Sequence, residues 1–278
     1  MSFITGGNTI IKENLLVKET IRLLDKQFVV MPWANTMYEG EIKKQGDTVS
    51  IQTFPNISWN SGTTAGASIS ATTYSITKET LTVDQLATFR VQTSNIEEIQ
   101  SNLSLRTKVA ERMSYGQADV LEQFVISLAS AGVVAGNKLW AYATALAKAT
   151  IVAAIGDMRQ KLSENNVFSN SALFVRPAIT NILKQAPEFD GFREGLDVRR
   201  QPGFIGRIHG FEVFETNNVG HYMLALDKDS VHFAAQFTGY KETSETDAFS
   251  DNILGEMAYG GKVCTENGKR MSIYYHSN

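Results

Sequence analysis

The chain has 278 residues, 43% apolar and 20% charged, enough to bury one large core or two smaller ones, which excludes disorder as its main state. A formal net charge of −3 argues against a dedicated nucleic-acid binder, which would carry a concentrated basic face. The lone Cys264 cannot form an intrachain disulfide, and residues 1–7 show neither the basic stretch nor the apolar run of a secretion signal, so folding in a cytoplasm is expected.

Residues 1–35 hold Leu15, Leu16, Ile21, Leu23 and Leu24 and end on Met31-Pro32-Trp33. They read as an arm with a short helix, too apolar over residues 10–30 for a solvated tail and therefore expected to dock on something. From residue 38 to 93 the period becomes two: Val49 and Ile51 alternate with Thr48, Ser50 and Gln52, and Tyr74 and Ile76 with Thr73, Ser75 and Thr77. This is an extended hairpin whose tip, residues 60–73, is built from Asn, Ser, Gly, Thr and Ala with one Ile. Trp59, just before the tip, either folds back onto the hairpin or meets a partner. Asn56-Ile57-Ser58 matches a glycosylation sequon that means little without a secretion signal.

Residues 95–131 give the longest helical pattern. Ile96, Ile99, Leu103, Ala110, Met113, Val120, Leu121, Phe124, Val125 and Leu128 recur at three- and four-residue steps, while Glu97, Lys108, Glu111, Arg112, Asp119 and Glu122 project elsewhere. Arg106 on the stripe and Leu105 off it point to contacts on more than one side. Ser94 with Glu97, or Asn95 with Glu98, forms a capping box, Gly132 is placed to stop the helix, and Gly116 marks a bend. At 1.5 Å per residue such a helix would be about 55 Å long, which suits the beam of an elongated, load-spreading protein and stands beside the plainer reading of an ordinary core helix.

A second helix is expected over residues 144–165, with Ile151, Ile155, Met158 and Leu162 on one face and Thr144 as its cap. Ala172-Leu173-Phe174-Val175 reads as a buried strand, and Pro177 opens a helix reaching Gln185. The loop 186–203 interleaves Arg193, Arg199 and Arg200 with Glu188, Asp190, Glu194 and Asp197, which offset their charge and suit a partner-facing loop. Strands are expected at 207–213, 222–226 and 231–235, making this stretch a mixed α/β layer that can stand as a separate lobe. A polar run over 238–251 leads to an extended segment at 253–265. Asn267-Gly268 signals a hairpin turn into a last strand at 270–276, a final hairpin packed beside the beam.

No chemistry-bearing constellation emerges. His209, His221, His232 and His276 lack the spacing of a metal face, and nothing flanking Cys264 marks a nucleophile turn. Gly260-Gly261-Lys262 and Gly268-Lys269 resemble phosphate loops, but Val263 stands where the first glycine of that pattern belongs before Gly268. Asp227-Lys228-Asp229 between two strands reads as a turn. The apolar window 129–155 is interrupted by Asn137, Lys138 and Lys148 and should not span a membrane. No catalytic residue, metal or cofactor is therefore assigned, and a non-enzymatic role is expected.

The order arm, long hairpin, spine helix, α/β lobe and closing strands resembles that of tailed-bacteriophage major capsid proteins with the Hong Kong 97-type fold. The resemblance spans nearly the whole chain. It is carried by Gly46-Asp47-Thr48-Val49 and Leu81-Thr82-Val83-Asp84 in the hairpin, and by Ala110-Glu111-Arg112, Ala118-Asp119 and Leu121 in the spine. More specific is Leu173-Phe174-Val175 with Pro177 to Leu183, then Gly203-Phe204-Ile205-Gly206-Arg207-Ile208-His209-Gly210-Phe211-Glu212-Val213 leading to Thr216-Asn217-Asn218.

The resemblance implies an α+β protein: an N-arm at 1–36, an E-loop hairpin at 37–94, a peripheral domain with the spine helix at 95–139 and 240–278, and an axial domain at 140–239. It implies a structural protein of the virion capsid, assembled in the host cytoplasm into hexameric and pentameric capsomers of an icosahedral shell around double-stranded DNA. Scaffolding and portal proteins would be partners, with DNA on the inner face bound without sequence specificity and no membrane involved. Subunit contacts would fall at Trp59, Asn60, Thr63, Thr64 and Ile69 of the hairpin tip, and at Arg193, Arg199 and Arg200 of the loop facing the capsomer axis. Two other readings stand beside it: an encapsulin-type nanocompartment shell of the same fold, and a soluble α/β enzyme binding an anionic substrate.

Overall fold

The structure, a computed structural model, describes residues 28–38, 46–54, 75–94, 104–141, 147–169, 171–187, 189–191, 202–244 and 250–276. Its centre is a seven-stranded mixed sheet. In chain order its strands are β4 (Lys138–Ala141), β5 (Ser171–Val175), β6 (Asp190–Gly191), β7 (Phe204–Ile208), β8 (Phe211–Glu215), β9 (Tyr222–Asp227) and β12 (Met271–His276). Across the sheet they run β4-β12-β9-β5-β8-β7-β6, with β12 parallel to β4 and β5 parallel to β8. A three-stranded antiparallel sheet joins β10 (His232–Ser244), β11 (Ser250–Lys262) and β3 (Gln85–Ser94). The third sheet is the hairpin of β1 (Thr48–Thr53) and β2 (Thr77–Thr82).

Three helices complete the described fold: α1 (Ser104–Gly132), α2 (Lys148–Glu164) and α3 (Pro177–Leu183). A strand covered on both faces needs apolar residues at every position, and β5 is buried along its whole length. Ala172 and Phe174 point to the side of α1, where they meet Leu121, Val125, Ile126 and Ala129. Leu173 and Val175 point to the other side, toward Ile151, Ile155, Met158 and Leu162 of α2 and Ile179 and Leu183 of α3. Pro177 occupies the first turn of α3, where its missing N–H costs nothing.

The α1-side core is aromatic at its centre: Phe174 stacks on Phe214 at 5.6 Å, and Trp33 and Phe204 meet Phe214 edge-on at 5.7 and 5.5 Å. The same helix reaches the three-stranded sheet through Phe124, 5.0 Å from Tyr259 and 6.3 Å from Phe233. α1 therefore ties two sheets together, as a beam should. Its 29 residues span about 43 Å at 1.5 Å each; the expected start at 95–103 lies outside the described residues, and Ser94, an expected capping residue, ends β3. The helix runs unbroken through Gly116 and ends at Gly132.

Several expectations are corrected. The strand expected over 207–213 is a hairpin, β7–β8, turned by His209 (φ 46°) and Gly210 (φ 81°), the pair of positive φ values that a tight two-residue turn requires. The polar run 238–251 lies largely in the β10–β11 ladder, which pairs His232 with Lys262 and Ser244 with Asp251 around a bulge at Phe237/Gly239. Asn267-Gly268 opens a 3-10 turn, Asn267–Arg270, instead of a hairpin, and β12 pairs with β4 and β9 and not with β11. α2 starts at Lys148 with Ala147 as its N-cap residue and no side-chain cap, while Thr144, the expected cap, lies outside the described residues. On α1, Val120 is 38% exposed while Glu122, placed on the charged face, is only 5% exposed. Of the second strand's expected pattern, Tyr74 lies outside the described residues and Ile76 precedes β2 and is exposed.

Candidate assembly surfaces

The hairpin is rooted on the molecule by a small core of its own. Val49 and Ile51 of β1, with Leu81 and Val83, pack on Ala234, Ala258 and Cys264. The alternation seen in the sequence thus has its inward face on the three-stranded sheet, while Thr48, Ser50 and Gln52 face solvent. The crossing is close: a Cβ on Gly260 would sit 2.2 Å from the Thr82 carbonyl oxygen and 2.7 Å from Val83 Cα. The Gly260-Gly261-Lys262 sequence therefore serves backbone approach and not phosphate binding. Glu79 of β2 reinforces the root, its Oε1 accepting from the Thr265 N–H at 2.9 Å.

From this root the chain runs out through exposed Phe54 and returns through exposed Ile76. Trp59, Asn60, Thr63, Thr64 and Ile69 all lie outside the described residues. So do Arg193, Arg199 and Arg200, but the roots of their loop are described. β6 and β7 pair Asp190 with Arg207 and Gly191 with Gly206, so the loop leaves and re-enters at one edge of the seven-stranded sheet. Beside it Arg207 is paired with Glu212 at 2.6 Å.

Three further surfaces are open. A groove of about 490 Å³ runs between Met113, Gly116 and Val120 of α1 and Ala87, Phe89 and Val91 of β3, and Arg112 and Glu256 also line it. A polar cleft of about 850 Å³ is flanked by exposed Phe54 and Phe168; in its wall the buried Asp227 accepts from Ser169 Oγ at 2.5 Å and Arg270 Nε at 2.8 Å. At the outer strand β4, half-exposed Trp140 lies flat on Tyr275 at 4.0 Å.

For chemistry the site is poor. Cys264 is buried, and desolvation pushes its thiol above the usual cysteine range, the opposite of what a nucleophile needs. Among the described residues no three His, Cys, Asp or Glu side chains gather as metal ligands, and no helix is long and apolar enough to cross a membrane. The residue that sequence reasoning missed is Glu122, whose buried carboxylate accepts from the backbone of Val29 and Val30. Its signal was present: Glu122 sits four residues after Ala118 and four before Ile126, on the buried side of the helix.

The family described as phage capsid protein matches residues 73–267, most of the chain. No curated protein sequence matches it. Among solved structures, a chain of Mycobacterium phage Che8 is 20% identical with a TM-score of 0.66, over 89% of this chain and 91% of that one. A chain from the capsid structure of the cyanophage P-SCSP1u is 11% identical with a TM-score of 0.68, over 91% and 89%. A chain of the virus-like particle from Pyrococcus furiosus is 10% identical with a TM-score of 0.58, over 93% and 97%. These likenesses show the α+β capsid fold of the Hong Kong 97 type, and with the family match over residues 73–267 they establish that the chain belongs to the phage capsid protein family.

Proposed function

We propose that copies of this chain assemble, through hexameric and pentameric capsomers, into a closed icosahedral shell that encloses a double-stranded DNA genome, within the host cytoplasm and with scaffolding and portal proteins as partners. The family match over residues 73–267 carries this reading. The molecule's form supports it: one helix braces two sheets, and the hairpin and the loop 186–203 are rooted on different sheets, suited to contacts spread over several neighbours rather than to one cleft. The hairpin tip 60–73, with Trp59, would lie on an adjacent subunit, since its composition offers almost no apolar surface to its own core. The loop 186–203 would meet its copies around a ring, with Arg193, Arg199 and Arg200 facing acidic residues of neighbours.

Electron microscopy of the purified protein, with scaffold supplied, tests the shell: closed particles are expected, and monomers or dimers at high concentration would refute it. Replacing residues 60–73 by an Asn-Gly turn tests the clamp. Loop-closure entropy changes by only about 0.6 kcal/mol per doubling of length, so the monomer should melt nearly as before while particles fail to form. Normal shells from that variant would sink the clamp.

A second reading rests on the likeness to the Pyrococcus furiosus virus-like particle, 97% of whose chain is covered. An encapsulin-type shell of the same fold would enclose protein cargo. Nucleic acid in purified particles decides between the two.

A further inference from the structure

The carboxylate of Glu122 is the most isolated charge in the described core. It projects from the middle of α1, 5% exposed, against residues 28–30 and the turn after β8. Its Oε1 accepts from the backbone N–H of Val29 and from that of Val30, the latter at 2.9 Å. Its Oε2 accepts from Asn218 Nδ2 at 3.5 Å. Three donors from two separate chain segments thus converge on one side chain. Among the described residues neither contact brings a countercharge: Val29, Val30, Thr216 and Asn218 are uncharged, and the charged group acting on Glu122 is Asp119, one turn back on the same helix.

We propose that Glu122 is a proton-operated latch that holds the chain at Val29 and Val30 against α1 and lets it go when the carboxylate is protonated. The ionised carboxylate only accepts hydrogen bonds, which matches three converging donors; a protonated carboxyl carries a donor of its own and loses the charge-assisted part of every bond. Burial disfavours the charge and pushes the group above the usual glutamate range, while the amides of Val30 and Val29 and the side chain of Asn218 pull the other way. Beyond Trp33 the segment is fastened differently. The Asn35 N–H donates to Val231 O at 2.8 Å, the Phe233 N–H to Asn35 O at 2.9 Å and the Asp229 N–H to Trp33 O at 3.1 Å. These backbone bonds carry no titratable group. Release is therefore confined, among the described residues, to Phe28, Val29 and Val30, while Trp33 to Asn35 stay fastened.

Hydrogen exchange of the whole protein, read as protection factors corrected for intrinsic rates at about pH 7.5 and about pH 4.5, tests this. The wild type should lose roughly tenfold in protection at Val29 and Val30 on acidification, the difference between charge-assisted and neutral bonds, while β5 stays protected. Glu122→Gln keeps the shape without the charge and should show the lower protection at both pH values. Asn218→Ala leaves the carboxylate its hold on the backbone and should keep the pH dependence. Equal wild-type protection at the two pH values would overturn the latch. So would a Glu122→Gln protein as pH-dependent as the wild type, or loss of protection at β5 together with Val29 and Val30.

Discussion

Gly260→Ala gives the sharpest test of how the hairpin is rooted. The added Cβ would lie 2.2 Å from the Thr82 carbonyl oxygen, whereas ordinary contact begins at 3.4 Å, so the backbone at Thr82 must retreat by about 1.2 Å. The obstacle is main chain on both sides, so no rotamer change relieves it. A retreat of that size opens the contact that buries Leu81 and Val83 completely. Overpacking of this kind costs about 1–3 kcal/mol, which for a chain of this size lowers the thermal midpoint by roughly 2–5 °C. The matched control is Gly116→Ala, where a Cβ meets nothing within 4 Å and an exposed helix interior gains about 1 kcal/mol. Differential scanning fluorimetry of the two variants beside the wild type should show midpoints displaced in opposite directions. A Gly260→Ala protein that melts with or above the wild type would refute the claim that glycine is there for backbone approach.

Phe174→Ala, at a fully buried position stacked on Phe214, should cost about 3–5 kcal/mol in chemical denaturation. His232 is held neutral: desolvation lowers its pKa, its Nε2 lies 3.0 Å from Asn267 Nδ2 and its ring meets Tyr38 edge-on. The unfolded chain therefore binds the proton more readily than the fold. The stability owed to neutral His232 is complete above the ordinary histidine range and declines as pH falls below about 6.5, a component that His232→Gln should remove from thermal melts taken across pH. Reversing Arg199 and Arg200 to Glu should impair capsomer formation in sedimentation while the monomer melts normally; assembly unaffected at every salt concentration would refute the ring contact.

What the sequence revealed divides along physical lines. Residues whose role is set by their own covering were legible: the unbroken apolar run of β5, the alternation of Val49 and Ile51, and Pro177 at a helix start. Those whose role depends on a distant partner were not. Asn267-Gly268 carries the local signal of a hairpin, yet Asn267 is held by His232, thirty-five residues away, and the turn folds as 3-10. Glu122 has the helical spacing of a buried position, four residues from both Ala118 and Ile126, but nothing near it in sequence shows the two backbone amides that arrive from residues 29 and 30. The polar run 238–251 hid a long ladder, since strands whose partners supply the hydrogen bonds need little apolar surface of their own. Of the candidate contacts, composition marked the hairpin tip and the arginine loop, and the structure supplies their roots on two different sheets.

The place of β12 in the central sheet bears on how the protein is made. β12 lies between β4 and β9, and Asn137 at the head of β4 donates to the Met271 carbonyl across 134 residues. At about 5–20 residues per second, β4 waits on the ribosome for roughly 7–27 s before β12, its neighbour among the described strands, exists. Until then β9 keeps one open edge, and the base of α1 lacks Met271 and Ile273 from its core. The central sheet therefore cannot close until the chain has been read out at least through residue 276.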